Sequence, residues 1–309
     1  MTGPSPSDKF THMPESAPDT VGPNLSWSAV SRLIRLQNQT GTWLLLLPTM
    51  WSLVIASEGL PPWRLAVIFM VGSFLMRSAG VVLNDLVDRS FDRQVARTKG
   101  RPLASGELTT TQALIVVTTL IAMAGLLVCL LNPLTIVISP IALLLAGLYP
   151  FAKRFIHIPQ AILGIAFGWG TIMAWTASRN AIGWPSWCLF AATVCWTIGY
   201  DTIYALQDQE DDRKIGVKSS ALLFGSHVQS AVGGVLLTML LLLGVTGWLV
   251  RIGWGYYAML AAVALFFSWQ IAGLRHDLEP EKALALFRQH VWAGFAILAG
   301  TILGFLSSY

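Results

Sequence analysis

Long apolar runs separated by short polar segments fill this chain from about residue 40 to its end. A helix needs about 20 mostly apolar residues to cross the hydrocarbon core of a bilayer. Nine runs fit that requirement, at 40–58, 64–83, 111–131, 133–150, 160–177, 186–203, 227–250, 254–274 and 288–307. Turn-forming pairs mark their ends, among them Pro61-Pro62, Asn132-Pro133, Tyr149-Pro150 and Trp184-Pro185. The third and fourth runs have almost no linker between them, which predicts a tight antiparallel hairpin. Residues 1–26 break the pattern, being rich in Pro, Ser and Thr and free of aliphatic runs. They lack a signal peptide's apolar core and read as a disordered tail, with His12 in solvent. The expected fold is all-α: a polytopic membrane protein whose nine transmembrane helices form one domain over residues 27–309.

Composition supports the membrane reading. The chain of 309 residues is 54% hydrophobic and 12% charged, against about 25% charged in soluble domains. Its net charge of +4 does not indicate nucleic acid, because the basic residues are scattered among loops between apolar runs. Cys129, Cys188 and Cys195 lie in or beside apolar segments without metal-ligand spacing, as small buried hydrophobes do. With nine spans, one side of the membrane collects 17 of the 20 lysines and arginines, leaving Arg64, Arg179 and Arg251 opposite. Arg77, near the end of the second run, is counted with the larger group. The excess of positive charge marks that side as cytoplasmic.

Two acidic clusters interrupt this charge-poor chain, both on the cytoplasmic side and both at the end of an apolar run. The first reads Asn84-Asp85-Leu86-Val87-Asp88-Arg89-Ser90-Phe91-Asp92, the second Asp208-Gln209-Glu210-Asp211-Asp212. Carboxylates near hydrocarbon are costly and rarely lack a partner or a function. If each cluster continues the helix before it, Asn84, Asp88 and Asp92 recur at i, i+4 and i+8 on one face, flanked by Asp85. Asp208 and Asp212 are likewise i, i+4, with Asp201 two turns earlier on the same stripe. Like charges at that spacing repel in a bare helix. A bound cation removes the penalty, and Mg²⁺ is held by one or two carboxylates together with substrate phosphates. Glu210 and Asp211 point partly elsewhere and read equally well as a solvated helix end.

Basic residues crowd the same loops. Arg97, Lys99 and Arg101 follow the first cluster, Lys214 and Lys218 the second, and Lys153 and Arg154 lie on the loop between. Positive-inside bias accounts for most of them, but beside carboxylates they also suit a diphosphate. Two other functions use membrane carboxylates. A cation transporter sites them near the bilayer midplane, whereas these lie at helix ends. A phosphatidyl-type alcohol phosphotransferase opens on a DGxxAR motif, which this chain lacks.

The stretch Asn84–Gly106 (NDLVDRSFDRQVARTKGRPLASG) resembles the NDxxDxxxD loop, with its trailing RPL-SG, of the UbiA superfamily of intramembrane prenyltransferases. Tyr200–Gly225 (YDTIYALQDQEDDRKIGVKSSALLFG) resembles the same superfamily's DxxxD loop. Tyr149–Gly164 (YPFAKRFIHIPQAILG) looks like the 4-hydroxybenzoate polyprenyltransferase branch; homogentisate, chlorophyllide, naphthoate and haem acceptors define the nearest alternatives. The resemblance covers roughly residues 30–309 and implies a nine-helix bundle around a central cavity, capped by cytoplasmic loops. It implies Mg²⁺-dependent transfer from a polyprenyl diphosphate to 4-hydroxybenzoate in quinone biosynthesis, within a bacterial plasma (inner) membrane or its equivalent. By matching position, Asn84, Asp85, Asp88 and Asp92 would form one metal cluster and Asp208 and Asp212 the other. Asp88, Asp92, Asp208, Asp212 and Arg154 would carry catalysis. Lys153 and Arg154 match the family's basic position on the intervening loop and, with Arg101, Lys214 and Lys218, would bind diphosphate. From the residues themselves, Arg35, with Asn38 and Thr40 nearby at the cytoplasmic end of the first run, reads either as the cation for the acceptor's carboxylate or as a snorkelling anchor at the interface, and the ring proton goes to Asp201 or to water.

Overall fold

A computed structural model describes residues 26–95, 97–216 and 218–307, so the Pro/Ser-rich tail lies outside the described residues apart from Ser26. Among the described residues there are α-helices and short 3-10 turns but no strand. In chain order they are α1 (Trp27–Leu33), α2 (Thr40–Ala56), α3 (Trp63–Asp92), α4 (Thr110–Val128), α5 (Pro133–Phe155) and α6 (Pro159–Arg179). Then come α7 (Trp184–Ala205), α8 (Gln209–Ile215), α9 (Ser220–Phe224), α10 (Val228–Val250), α11 (Trp254–Ala272) and α12 (Pro280–Leu306). Eight of them, α3 to α7 and α10 to α12, are long and apolar enough to cross a membrane. The remaining apolar helix, α2, has 17 residues. The nine expected runs fall on α2 to α7 and α10 to α12, but α3 continues past residue 83 to Asp92 and α12 begins at Pro280 rather than 288.

Helix ends follow local chemistry. Thr109 and Gln112 form a reciprocal capping box at the start of α4. Asn132 caps α5, with Pro133 in the first turn where its missing N–H is not needed. The Asn132 Nδ2 also donates to the Thr176 carbonyl at 2.7 Å, tying α5 to the end of α6. Small residues then let helices approach closely, as membrane bundles require. At Gly164 and Gly168 of α6, an added methyl would meet the backbone of α7 at Val194 and Phe190 about 3 Å away.

α6, α7 and α10 pack in succession and α2 lies against α6, while α3 packs on α4 and α2. α12 joins α11 to α2 and α7. The core between α2, α7 and α12 is aromatic: Trp51 and Trp196 lie 4.9 Å apart between ring centroids. Trp51 Nε1 donates to the Gly294 carbonyl and Trp196 Nε1 to His290 Nδ1, each at 2.9 Å. Burying two indoles satisfies both N–H groups without water. This column supports the polar end of α7, where Tyr204 packs on Phe287 of α12.

Candidate active site

The first acidic cluster lies on α3, which runs unbroken to Asp92. Asp85, Asp88 and Asp92 face inward at 1%, 2% and 7% exposure, and Asn84 is half-buried. The expected helical continuation therefore holds for this cluster. Buried carboxylates need cationic partners, and Asp85 has two. Arg35 Nη2 donates to its oxygens at 3.0 and 2.8 Å, and Arg101 Nη1 donates to Oδ1 at 3.1 Å. The same Arg101 nitrogen donates to Asp92 Oδ2 at 2.8 Å, bridging two turns of α3.

Arg35 is thus turned toward a carboxylate of the protein, Asp85. Its backbone explains why. α1 ends in a Schellman arrangement, with Leu36 N donating to the Ser31 carbonyl and Arg35 N to that of Arg32. The left-handed residue of that motif is Arg35 itself, at φ +57°, where glycine is usual. The bend swings its side chain under α3.

The segment after α3 is a chain of turns stapled to that helix. Arg89 Nε donates to the Leu103 carbonyl and Arg93 Nε to that of Ala104. Thr98 Oγ1 donates to the Asp92 carbonyl at 3.0 Å. These bonds hold Arg97 and Arg101 over the acidic face. Arg97 then reaches the second cluster: Nε donates to Asp208 Oδ1 at 2.9 Å and Nη2 to Oδ2 at 2.6 Å. Burial opposes its charge, but Tyr204 and the Asp208 carboxylate outweigh that and hold the Arg97 pKa above its ordinary value. Two loops more than 100 residues apart are therefore joined by one bidentate ion pair.

The second cluster departs from the expected continuous helix. α7 stops at Ala205, a 3-10 turn spans Leu206–Asp208, and α8 starts afresh at Gln209. Tighter winding in the turn changes the angular step per residue, so Asp201, Asp208 and Asp212 do not share an unbroken stripe. Ser219 caps α9 through Leu222 N, and Ser220 pairs with Thr202 of α7 at 2.7 Å, folding the loop back onto the bundle. Lys218 Nζ donates to the Phe155 carbonyl at 3.1 Å, at the end of α5. Lys214 is exposed on α8, and the Lys153 side chain lies outside the described residues. Arg154 Nη2 donates to the Val87 carbonyl at 3.0 Å, with its guanidinium over Phe91 and Phe151. It grips the outside of α3, and neither Lys218 nor Arg154 is drawn to the acidic face.

Below the carboxylates lies a polar zone that the sequence reading missed. Arg77, counted there among the cytoplasmic basic residues, sits inside α3, and its Nε is buried without a hydrogen-bond partner. Its guanidinium lies against α2 at Gly41, where an added methyl would come within 3 Å of three of its atoms. Tyr149, Tyr200 and Tyr204 are its electrostatic neighbours. Arg77 is in turn the charge that Asp201 feels, and Tyr149 is within the electrostatic influence of Asp201, Arg77 and Asp88. A signal was available: Arg77 precedes Asn84 by two helical turns on one face, and a charge inside an apolar span is a functional flag.

The donors at the two clusters are carboxylate oxygens, with the Asn84 amide beside them. Among the described residues no three potential ligands already converge on a metal position. Carboxylate and amide oxygens are donors that a hard divalent cation such as Mg²⁺ takes together with water and phosphate oxygens.

The UbiA prenyltransferase family model matches residues 45–303. The chain belongs to this family. A 4-hydroxybenzoate octaprenyltransferase of Pseudomonas aeruginosa (strain UCBPP-PA14) is 44% identical over 277 residues, covering 90% of this chain and 93% of that protein. One of the same name from Psychromonas ingrahamii is 45% identical over 278 residues, covering 90% and 96%. Among solved structures, the apo form of a UbiA homolog from Aeropyrum pernix K1 superposes with a TM-score of 0.73 at 25% identity, covering 86% of this chain and 98% of that one. A UbiA homolog from Archaeoglobus fulgidus, solved with GPP and Mg²⁺, gives 0.66 at 16% identity, covering 88% and 99%, and shares the fold. The matched region includes both acidic loops that Arg97 joins.

Proposed function

We propose that this chain transfers a polyprenyl group from its diphosphate to the ring of 4-hydroxybenzoate, releasing diphosphate, on the cytoplasmic side of a bacterial plasma membrane. One observation carries the reading: two acidic loops, joined through Arg97 and Asp208, lie over a half-buried polar zone holding Arg77, Asp201 and Tyr149. The upper layer suits a metal-bound diphosphate and the lower layer an aromatic acid. Relatives 44–45% identical over 90% of the chain carry the name 4-hydroxybenzoate octaprenyltransferase, which supports both substrates and favours a long prenyl chain. The nine apolar helices, α2 included, serve as nine spans.

Asn84, Asp85, Asp88, Asp92, Asp208 and Asp212 are the residues that would hold Mg²⁺. When bound, the metal supplies positive charge that stabilises the diphosphate as it leaves. Arg97 and Arg101 donate to its oxygens, because the guanidinium fork matches phosphate. The C–O bond between prenyl carbon and diphosphate breaks, leaving an allyl cation enclosed by apolar helix walls that exclude water. Arg77 binds the acceptor's carboxylate, since its buried Nε lacks a partner and a buried charge demands one. The ring carbon beside the phenol oxygen attacks the cation. Asp201 receives the ring proton, and aromaticity returns. Arg154 fixes the end of α5 on α3, holding the first cluster in place.

Membranes containing the chain, offered octaprenyl diphosphate with 4-hydroxybenzoate, homogentisate or a dihydroxynaphthoate, test this by mass spectrometry of the lipid extract. Prenylated 4-hydroxybenzoate is the expected product. Prenylation of one of the other acceptors instead would replace the reading with its nearest alternative within the family.

A further inference from the structure

The arginines of the first loop do not face an open site. They are already engaged with the carboxylates assigned to metal: Arg97 grips both oxygens of Asp208, and Arg101 spans Asp85 and Asp92. We propose that Arg97 and Arg101 are stand-in cations, holding those carboxylates until substrate comes and then moving onto its diphosphate as metal takes their place. This deepens the function proposed above and rests on it. Metal alone must displace an arginine, leaving a guanidinium unpaired in a half-buried loop. Diphosphate alone must pull an arginine away, leaving carboxylates unneutralised beside a second anion. Arriving together, they exchange every ion pair for another of similar geometry, since guanidinium forks accept carboxylate and phosphate alike.

The loop is built for that exchange. Thr98, Arg89 and Arg93 anchor its backbone to α3 and to itself, so Arg97 and Arg101 change partners by side-chain rotation alone. Arg97 is 44% exposed along its side chain and Arg101 21%, leaving a path to solvent. Arg35, which donates to both oxygens of Asp85, stays behind as the fixed counter-charge. The consequence is reciprocal coupling: metal and diphosphate each raise the other's affinity by the same factor, and the site takes neither well alone.

The test uses the purified full chain in nanodiscs, with Mn²⁺ binding followed by electron paramagnetic resonance and metal-free binding of ³²P-pyrophosphate measured in EDTA. Wild type should bind Mn²⁺ weakly alone and more tightly with pyrophosphate. The double variant Arg97→Gln/Arg101→Gln should bind Mn²⁺ alone about fivefold tighter, the factor that a partly exposed ion pair is worth, and should lose the gain from pyrophosphate. Lys99→Gln removes one charge from the same loop and controls for general electrostatics, with a smaller shift expected. Conversely, Asp208→Asn should bind metal-free pyrophosphate more tightly than wild type, and by more than Glu210→Gln does. If the double variant fails to fold, Arg97→Lys keeps the charge but not the fork, and should still bind Mn²⁺ alone more tightly than wild type. Mn²⁺ affinity in the arginine variants no higher than in Lys99→Gln overturns the exchange. Wild type that binds no Mn²⁺ even with pyrophosphate overturns the metal–diphosphate reading beneath it as well.

Discussion

Gly41→Ala tests the acceptor site without substituting a charged residue. The added methyl would lie 2.6 Å from Arg77 Nη2 and 2.9 Å from Cζ, where nonbonded contact needs about 3.5 Å. The helix backbone of α2 cannot yield as easily as the end of a side chain, so the guanidinium withdraws by nearly an ångström. If Arg77 binds the acceptor's carboxylate, that shift removes a charge-assisted hydrogen bond, about 1.5–3 kcal/mol. The corresponding fall in kcat/KM for 4-hydroxybenzoate is about 10- to 150-fold. Alanine is also the better helix former, so thermal stability should hold or rise, which separates a lost contact from a lost fold. Steady-state kinetics at saturating prenyl diphosphate give the number, and a phenol lacking the carboxylate gives the control, for which the variant should be nearly neutral. Unchanged kcat/KM for 4-hydroxybenzoate, or an equal loss for the plain phenol, would refute the assignment of Arg77.

Asp88→Ala, Asp92→Ala, Asp208→Ala and Asp212→Ala should each abolish most turnover while the chain still inserts, as membrane fractionation and product assay together will show. EDTA should stop wild-type activity and added Mg²⁺ restore it. Arg35→Ala should lower activity with both substrates and reduce stability to thermal unfolding by about 1–3 kcal/mol, because Asp85 is left with less than its full complement of donors. Adding Asp85→Asn to that variant should recover part of the stability but not the activity. Arg154→Ala should lower kcat/KM for the prenyl diphosphate through displacement of α3, whereas Arg64→Ala, exposed at the far end of the same helix, should change nothing measurable.

The helices were legible because a bilayer imposes one rule throughout, about 20 apolar residues per crossing, and the runs obey it. The first acidic face was legible for the same reason. Period 3.6 carried from 64–83 into Asn84–Asp92, and no residue there breaks a helix. The second was not, because nothing in Ala205–Gln209 announces a 3-10 turn. Ion-pair partners were also hidden. Arg97 and Asp208 are 111 residues apart, and spacing along the chain says nothing of such contacts. The partner of Arg35 was hidden for a subtler reason. The arginine's position beside the first run was right, but the left-handed turn that points it at Asp85 depends on a helix C-terminus that the sequence marks with arginine rather than glycine. Arg77 was overlooked because counting charges for topology assigned it to a side of the membrane and asked nothing further of it.

The most direct measurement follows isotope-labelled 4-hydroxybenzoate in liposomes reconstituted with the purified chain and octaprenyl diphosphate, counting labelled lipid and released diphosphate in the same sample. The account expects one diphosphate released for each prenylated ring, in Mg²⁺ and not in EDTA, and neither product from Asp88→Ala. Label entering lipid at an undiminished rate in chelator, or diphosphate released with no prenylated ring, would contradict it.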